Sequence, residues 1–320
     1  MTVAWLFPGQ GSQAVGMCRD VLAASPAARA LFARLDQVLG EPLSRVVLEG
    51  PEADLTITAN AQPALVATSC ATLAAIRERW PALPDPAFAA GHSLGEYSAL
   101  VAAGGLAFDD AIRLVRARGL AMQQAVPPGV GAMSAIMGVD AARLEALCAE
   151  AAQGEVVSPA NFNAPGQIVI AGHAGAVARV GDLVASAKDA KGRAIALKVS
   201  APFHCALMAP AARVLQAELA GVQVGPLRYP VVANYDARPN TDGSRVKELL
   251  VRQVDGVVRW EDGVRAMVSL GVTHALEIGP GKVLSGLVKR IAKDVKVLSV
   301  GDVAAIDEVA RFVEEARGAA

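Results

Sequence analysis

Cysteine is scarce in this chain. The four residues, Cys18, Cys70, Cys148 and Cys205, lie far apart and form no C-x-x-C pair. That spacing gives neither a disulfide framework nor a zinc site, so no metal is expected, and a reducing cytoplasm is the plain compartment. Neither sign of charge dominates: 30 basic side chains face 31 acidic ones, for a net charge of −1. The global basic field of a nucleic-acid binder is therefore absent. No apolar stretch reaches the ~20 residues of a membrane span. The N-terminal run has no basic flank and is broken by Pro8-Gly9, so a signal peptide is not expected. Aromatic residues make up only 4% of the chain and histidine occurs four times, which leaves few candidates for a general base.

What the chain does have is aliphatic bulk. Hydrophobic residues make up 53% of its 320 positions, with Ala, Val and Leu prominent, as in a helix-rich α/β protein. This length allows one large domain or a large domain with a smaller partner. The short apolar runs Val3 to Phe7 and Ala87 to Ala90 read as buried strands. Helical patterns cover Ala27 to Leu39, Pro63 to Trp80 with Pro63 at the first helical position, Glu96 to Ala103 and Asp109 to Gln124. The character changes at Pro127-Pro128-Gly129. Strand signals at Met133 to Val139, Val156 to Phe162, Gln167 to Ala171 and Ala194 to Ser200 alternate with helical ones at Ala141 to Ala152 and Ala174 to Asp189. The order β-α-β-β-α-β predicts a ferredoxin-like small domain over residues 127–200, inserted into a larger unit formed by 1–126 and 201–320. Further strands are expected at Val231 to Asn234 and Ala275 to Ile278.

Gly91-His92-Ser93-Leu94-Gly95 fits G-x-S-x-G, in which a serine sits on a sharp strand-to-helix turn. Flanking glycines let the strand and helix approach, and the helix N-terminus favours developing negative charge. The alternative is a glycine-rich turn with a solvent-exposed serine. An activated serine needs a base. His92 adjoins Ser93 and should pack under the turn. His173 reads as a surface residue and His274 as structural. His204, where the small domain returns to the large one, is the best base by position, although a satisfied loop histidine is the competing reading. Cys205 beside it reads as packing.

Several segments together resemble the malonyl-CoA:acyl carrier protein transacylase family. They are Phe7-Pro8-Gly9-Gln10-Gly11-Ser12-Gln13, Gly91 to Leu100, Arg118-Gly119 with Met122-Gln123, Ala160 to Gln167, Pro202 to Met208 and Glu277 to Leu284, in order and without large gaps. The resemblance implies an α/β fold, a hydrolase-like core with a parallel sheet plus the inserted ferredoxin-like domain. It also implies ping-pong transfer of malonyl from malonyl-CoA to the phosphopantetheine thiol of acyl carrier protein, for fatty acid synthesis, with no bound cofactor.

On that resemblance Ser93 is the acylated nucleophile and His204 its base, oriented by a backbone carbonyl at Gln253. The N–H groups of Gln10 and Leu94 form the oxyanion hole. Arg118 pairs with the malonyl carboxylate, though on its own it reads, with Arg113 and Arg116, as part of a solvated helix face. Phe203 and Leu94 disfavour a branched methylmalonyl group. Val257 stands where the family usually has proline. Carrier proteins are acidic, so Lys191 with Arg193, and Lys289 with Arg290, are candidate docking residues whose alternative is ordinary surface charge. A monomer without nucleic-acid or membrane partners is expected. The rivals are a serine thioesterase or hydrolase, an acyltransferase serving a polyketide synthase or malonate decarboxylase, and an inactive docking module.

Overall fold

The computed structural model describes residues 3–186, 192–197, 199 and 201–318. Among them ten strands form two sheets: β1 Val3–Phe7, β2 Phe88–Gly91, β3 Gly131–Met137, β4 Val157–Ala164, β5 Gln167–His173, β6 Arg193–Ala196, β7 Val231–Val232, β8 Pro239–Asn240, β9 His274–Ile278 and β10 Lys296–Val300. The first sheet runs β10-β9-β1-β2-β7-β8 and is parallel except for the β7–β8 pair. The second runs β4-β5-β3-β6 and is antiparallel throughout.

The unbroken apolar run of β1 follows from its central place in a sheet covered on both faces. Val3, Trp5 and Phe7 enter one apolar cluster, while Ala4 and Leu6 enter the other. Successive side chains of a strand point to opposite faces, so one five-residue segment feeds two cores. On the first face lies the Thr58–Arg79 helix, buried nearly all round, as its lack of a polar stripe requires.

That helix starts before Pro63, so Pro63 is inside it and not at its first position. Packing explains the difference. The first turn lies against the Phe108–Gln124 helix at Gly119, where an added Cβ would come within 2.8 Å of Ala59 Cα. Tertiary contact here outweighs the proline signal, and the extra turn carries Thr58 and Gln62 towards the cleft.

The second sheet divides its side chains in the same way. Ile136, Ile168 and Ile170 pack with the Ala141–Ala152 and Ala174–Ser186 helices, whereas Met133, Val169 and Ala171 join the cluster that holds Val3, Trp5 and Phe7. Edge strand β4 is also tied to the loop before the Trp260–Ser269 helix. Val258 N–H donates to Ala160 O (2.9 Å), and Phe162 N–H donates to Val258 O (2.9 Å). This bridge sets the loop path at Val257, the position where the resemblance expects proline. Expected strand edges shift by a few residues. β6 covers only Arg193–Ala196 of the longer run, and Ser200, the expected boundary, lies outside the described residues. β10 was not expected from the sequence; it is a half-exposed edge strand with little apolar contrast.

Candidate active site

Three loops leave the C-terminal ends of adjacent parallel strands β1, β2 and β7, the usual position of a site in such a sheet. The loop after β2 is the serine turn. Ser93 has φ +52°, a left-handed conformation that costs a non-glycine residue on the order of 1 kcal/mol or more and needs outside support. Asn234, just past β7, supplies it. Its Oδ1 accepts from Ser93 N–H (2.6 Å) and its Nδ2 donates to Gly91 O (2.7 Å). From the other side Gln253 Nε2 donates to Ser93 O (2.9 Å). The flanking glycines are required by space: a Cβ on Gly91 would lie 1.9 Å from the Gly95 carbonyl carbon, and one on Gly95 2.2 Å from Phe7 O. The Gly95–Ala103 helix begins directly behind the serine.

His204 also has a left-handed backbone, φ +60°. Its Nε2 lies 2.7 Å from Ser93 Oγ and its Nδ1 lies 2.8 Å from Gln253 O. A carbonyl can only accept, so Nδ1 carries the proton and Nε2 faces the serine as an acceptor. Burial, with the Arg118 charge second, pushes the His204 pKa down to about 3. The ring is thus a neutral base at ordinary pH.

Arg118 is only 2% exposed, so the solvated-face reading fails for it. Arg113 does sit outside, paired with Asp110 (3.1 Å), whereas Arg116 is half-buried and pairs with Glu41. The Arg118 guanidinium donates to Gln62 Oε1 (2.8 Å), Ser93 Oγ (3.1 Å) and Gln253 Oε1 (3.0 Å). Its Nε has no partner among the described residues. All three partners are neutral, which leaves a desolvated cation beside the serine oxygen.

Gly9 brings the loop after β1 against the serine turn, so closely that a Cβ there would sit 2.4 Å from His92 O. Gln10 follows on this loop, and its amide donates to Thr58 Oγ1 (3.3 Å). Leu94 occupies the N-cap of the Gly95–Ala103 helix, which leaves its N–H outside the helical ladder. Gln10, Ser93, Arg118, Phe203 and His204 line one cleft of about 450 Å³. Met133, Asn161, Asn163, Val169 and Leu197 close its far side from the second sheet.

The other histidines are accounted for. His92 Nε2 bonds to Asn163 Oδ1 (2.8 Å) and its ring lies against Trp260, so it packs beside the turn as expected. His173 Nδ1 accepts from Val156 N–H (2.9 Å), and His274 packs edge-on to Phe312. Cys205 donates its thiol to Pro202 O (3.1 Å), and burial pushes its pKa up to about 11, which keeps it a thiol. Of the basic candidates, Arg193 and Lys289 are exposed, and Lys191 lies outside the described residues. Arg290 is occupied: its guanidinium donates to Gln167 Oε1 and to Pro165 O (3.1 Å), which ties the Val283–Ile291 helix to the turn between β4 and β5.

Sequence reasoning missed Gln62, Glu96, Asn163 and Asn234 as site residues. Glu96 had a visible signal, the lone charged residue in the run Leu94 to Ala103. Its Oε2 accepts from Asn234 N–H (2.9 Å) and Gln253 Nε2 (2.8 Å).

A sequence description of the acyl transferase domain matches residues 4–317. The chain belongs to the acyl transferase domain family. This acyl transferase is 47% identical over 310 residues to the malonyl CoA-acyl carrier protein transacylase of Haemophilus influenzae, covering 97% of this chain and 98% of the relative. A solved acyl carrier protein S-malonyltransferase of Vibrio cholerae superimposes with TM-score 0.93 at 49% identity, covering 97% of this chain and all (100%) of the other. A malonyl-transacylase solved in complex with its type II polyketide synthase acyl-carrier protein gives TM-score 0.92 at 46% identity, covering 96% and 98%. Among the described residues of the acyl transferase, no helix is long and apolar enough to cross a membrane, and no cluster of His, Cys, Asp and Glu could hold a metal ion.

Proposed function

We propose that this acyl transferase moves malonyl from malonyl-CoA to the phosphopantetheine thiol of an acyl carrier protein, through a malonyl ester on Ser93, for fatty acid synthesis. The observation that carries the reading is one serine oxygen held between two groups: His204 Nε2 at 2.7 Å and the Arg118 guanidinium at 3.1 Å. The first suits proton abstraction. The second suits the free carboxylate of the acyl group, since a malonyl chain esterified at Oγ can fold its carboxylate back onto the same guanidinium in a paired hydrogen bond.

In the first half-reaction Ser93 Oγ attacks the thioester carbonyl while His204 takes its proton. The N–H groups of Leu94 and Gln10 receive the oxyanion. The C–S bond breaks, and His204 returns the proton to the departing coenzyme A sulfur. The carrier thiol repeats the steps in reverse, with His204 taking the thiol proton and Ser93 regaining it. A thiolate leaves readily, so a histidine oriented by the Gln253 carbonyl suffices without an Asp partner. Phe203 lines the cleft next to His204, and its bulk would disfavour a methyl branch on the acyl Cα.

Residues 1–126 and 201–320 are read as the hydrolase-like core and 127–200 as the ferredoxin-like domain. The strand order β4-β5-β3-β6, with both helices on one face, supports this division. Arg193 and Lys289 remain the docking candidates for an acidic carrier, acting with a cytoplasmic monomer. The same chemistry serves a polyketide carrier, and the type II polyketide complex of a structural neighbour makes that the second reading.

Mass spectrometry after exposure to malonyl-CoA tests the proposal. A malonyl adduct should form on Ser93, discharge onto holo carrier protein, and be missing in Ser93→Ala. Transfer retained by that variant would overturn the assignment. Rapid release of free malonate without an acceptor would favour a hydrolase.

A further inference from the structure

One buried carboxylate directly behind the serine turn takes no part in these transfer steps. Glu96 is 2% exposed and lies behind the serine turn on the Gly95–Ala103 helix. Between it and Arg118 stands the Gln253 amide. Gln253 Oε1 accepts from the guanidinium (3.0 Å) and Gln253 Nε2 donates to Glu96 Oε2 (2.8 Å). Flipping this amide would turn its NH₂ towards the cation, so the two charges together fix its orientation. Every hydrogen-bond partner of Arg118 is neutral, which makes Glu96, across a single amide, the carboxylate that faces it.

We propose that Glu96 is a positioning residue that shares the Arg118 cation with the acyl carboxylate, so that the site prefers an anionic acyl group most when Glu96 is neutral. This rests on the assignment of Arg118 to that carboxylate. One buried cation cannot fully compensate two anions at once, and the second anion to arrive meets a site already near neutral. Burial pushes the Glu96 pKa up to about 7, against the opposing pull of the Asn234 N–H, Gln253 and Arg118. The other charge facing it is Asp236, past β7, itself paired with Arg245 (3.0 Å). Tyr97 beside it is held neutral by burial, as is His204 across the turn. Proton uptake at Glu96 should therefore accompany malonyl loading, and the neutral acetyl group should cause none.

The test is the ratio of kcat/KM for Ser93 acylation by malonyl-CoA and by acetyl-CoA, measured from about pH 6 to about pH 8. Using a ratio cancels titration of coenzyme A itself. In the wild type the ratio should fall roughly tenfold across this range, the equivalent of about one pKa unit of coupling. In Glu96→Gln the side-chain carbonyl can still accept both N–H groups, and the ratio should be flat, at or above the wild-type value at low pH. A pH dependence that survives in Glu96→Gln, or is missing from the wild type, overturns the proposal. A purely structural role would lower both donors alike and leave the ratio unmoved.

If Glu96→Gln does not fold, the wild type alone decides the question. In weak buffer at about pH 7, malonylation should take up protons and acetylation should not; equal uptake overturns the proposal. Failure of these tests with the malonyl-Ser93 adduct intact leaves the transfer reading standing, whereas loss of the adduct removes both.

Discussion

The cleft has two unlike walls. On the β1–β2–β7 side, Ser93, His204, Arg118, Gln253, Asn234 and Glu96 form one connected hydrogen-bond network, with two residues held at left-handed φ. On the second-sheet side, Met133, Val169 and Leu197 present aliphatic surface, with Asn161 and Asn163 as the polar exceptions. A network in which each member fixes the next has little tolerance, because a missing partner leaves a buried polar group unsatisfied. An aliphatic wall can repack at modest cost. Chemistry is therefore expected to depend steeply on the first wall, and fit to the substrate weakly on the second.

The steepest dependence should lie at the base. His204→Ala is expected to slow Ser93 acylation roughly 10²- to 10⁴-fold, the usual range for removing a positioned general base. Because the His204 pKa is pushed down to about 3, the wild-type ring stays neutral where an ordinary histidine would gain a proton. Acylation should thus hold level between about pH 4.5 and about 6, where Glu96 is still protonated. Rapid-quench rates that fall with an inflection near the ordinary histidine value of about 6.5 would show that the burial argument is wrong.

Next in size is Arg118→Ala. If this cation meets the acyl carboxylate as proposed, its loss should cost on the order of 3 kcal/mol, or roughly a hundredfold in malonyl kcat/KM. Acetyl-CoA has no such carboxylate and should lose much less. Equal losses for both donors would remove the carboxylate role. Methylmalonyl-CoA in the same donor series addresses Phe203: turnover comparable to malonyl in the wild type would mean that the ring does not crowd the Cα branch.

The two walls also differed in how legible they were. G-x-S-x-G, the glycines beside Gln10 and the position of His204 are local patterns, and local patterns survive in a single sequence. The second sheet was readable too, because β-α-β-β-α-β alternation is a periodicity signal. What sequence could not give was the network. Gln62 enters the cleft only because the helix begins a turn before Pro63. Asn234 reaches Ser93 only because β7 lies beside β2, a pairing across more than a hundred positions. Arg118 looked solvated because its helix carries Arg113 and Arg116, and only packing shows which of the three turns inward. Arg290 looked free until Gln167 and the Pro165 carbonyl were found against it.

The smallest effect should come from the exposed cations, because surface charge acts on encounter more than on the bound state. Arg193 lies on β6 of the second sheet and Lys289 near the end of the Val283–Ile291 helix. Charge reversal at both, Arg193→Glu with Lys289→Glu, should slow discharge of malonyl-Ser93 onto carrier protein a few-fold at low salt, and the deficit should shrink as salt screens the field over about 10 Å. Loading from malonyl-CoA, measured alongside, separates carrier docking from a general loss of attraction for anionic substrates. Arg290 is a poor choice for this test, because its guanidinium ties the Val283–Ile291 helix to the turn between β4 and β5, and its loss would disturb how the two walls meet. A discharge rate that is unchanged at every salt concentration would place docking elsewhere on the rim and return Arg193 and Lys289 to ordinary surface charge.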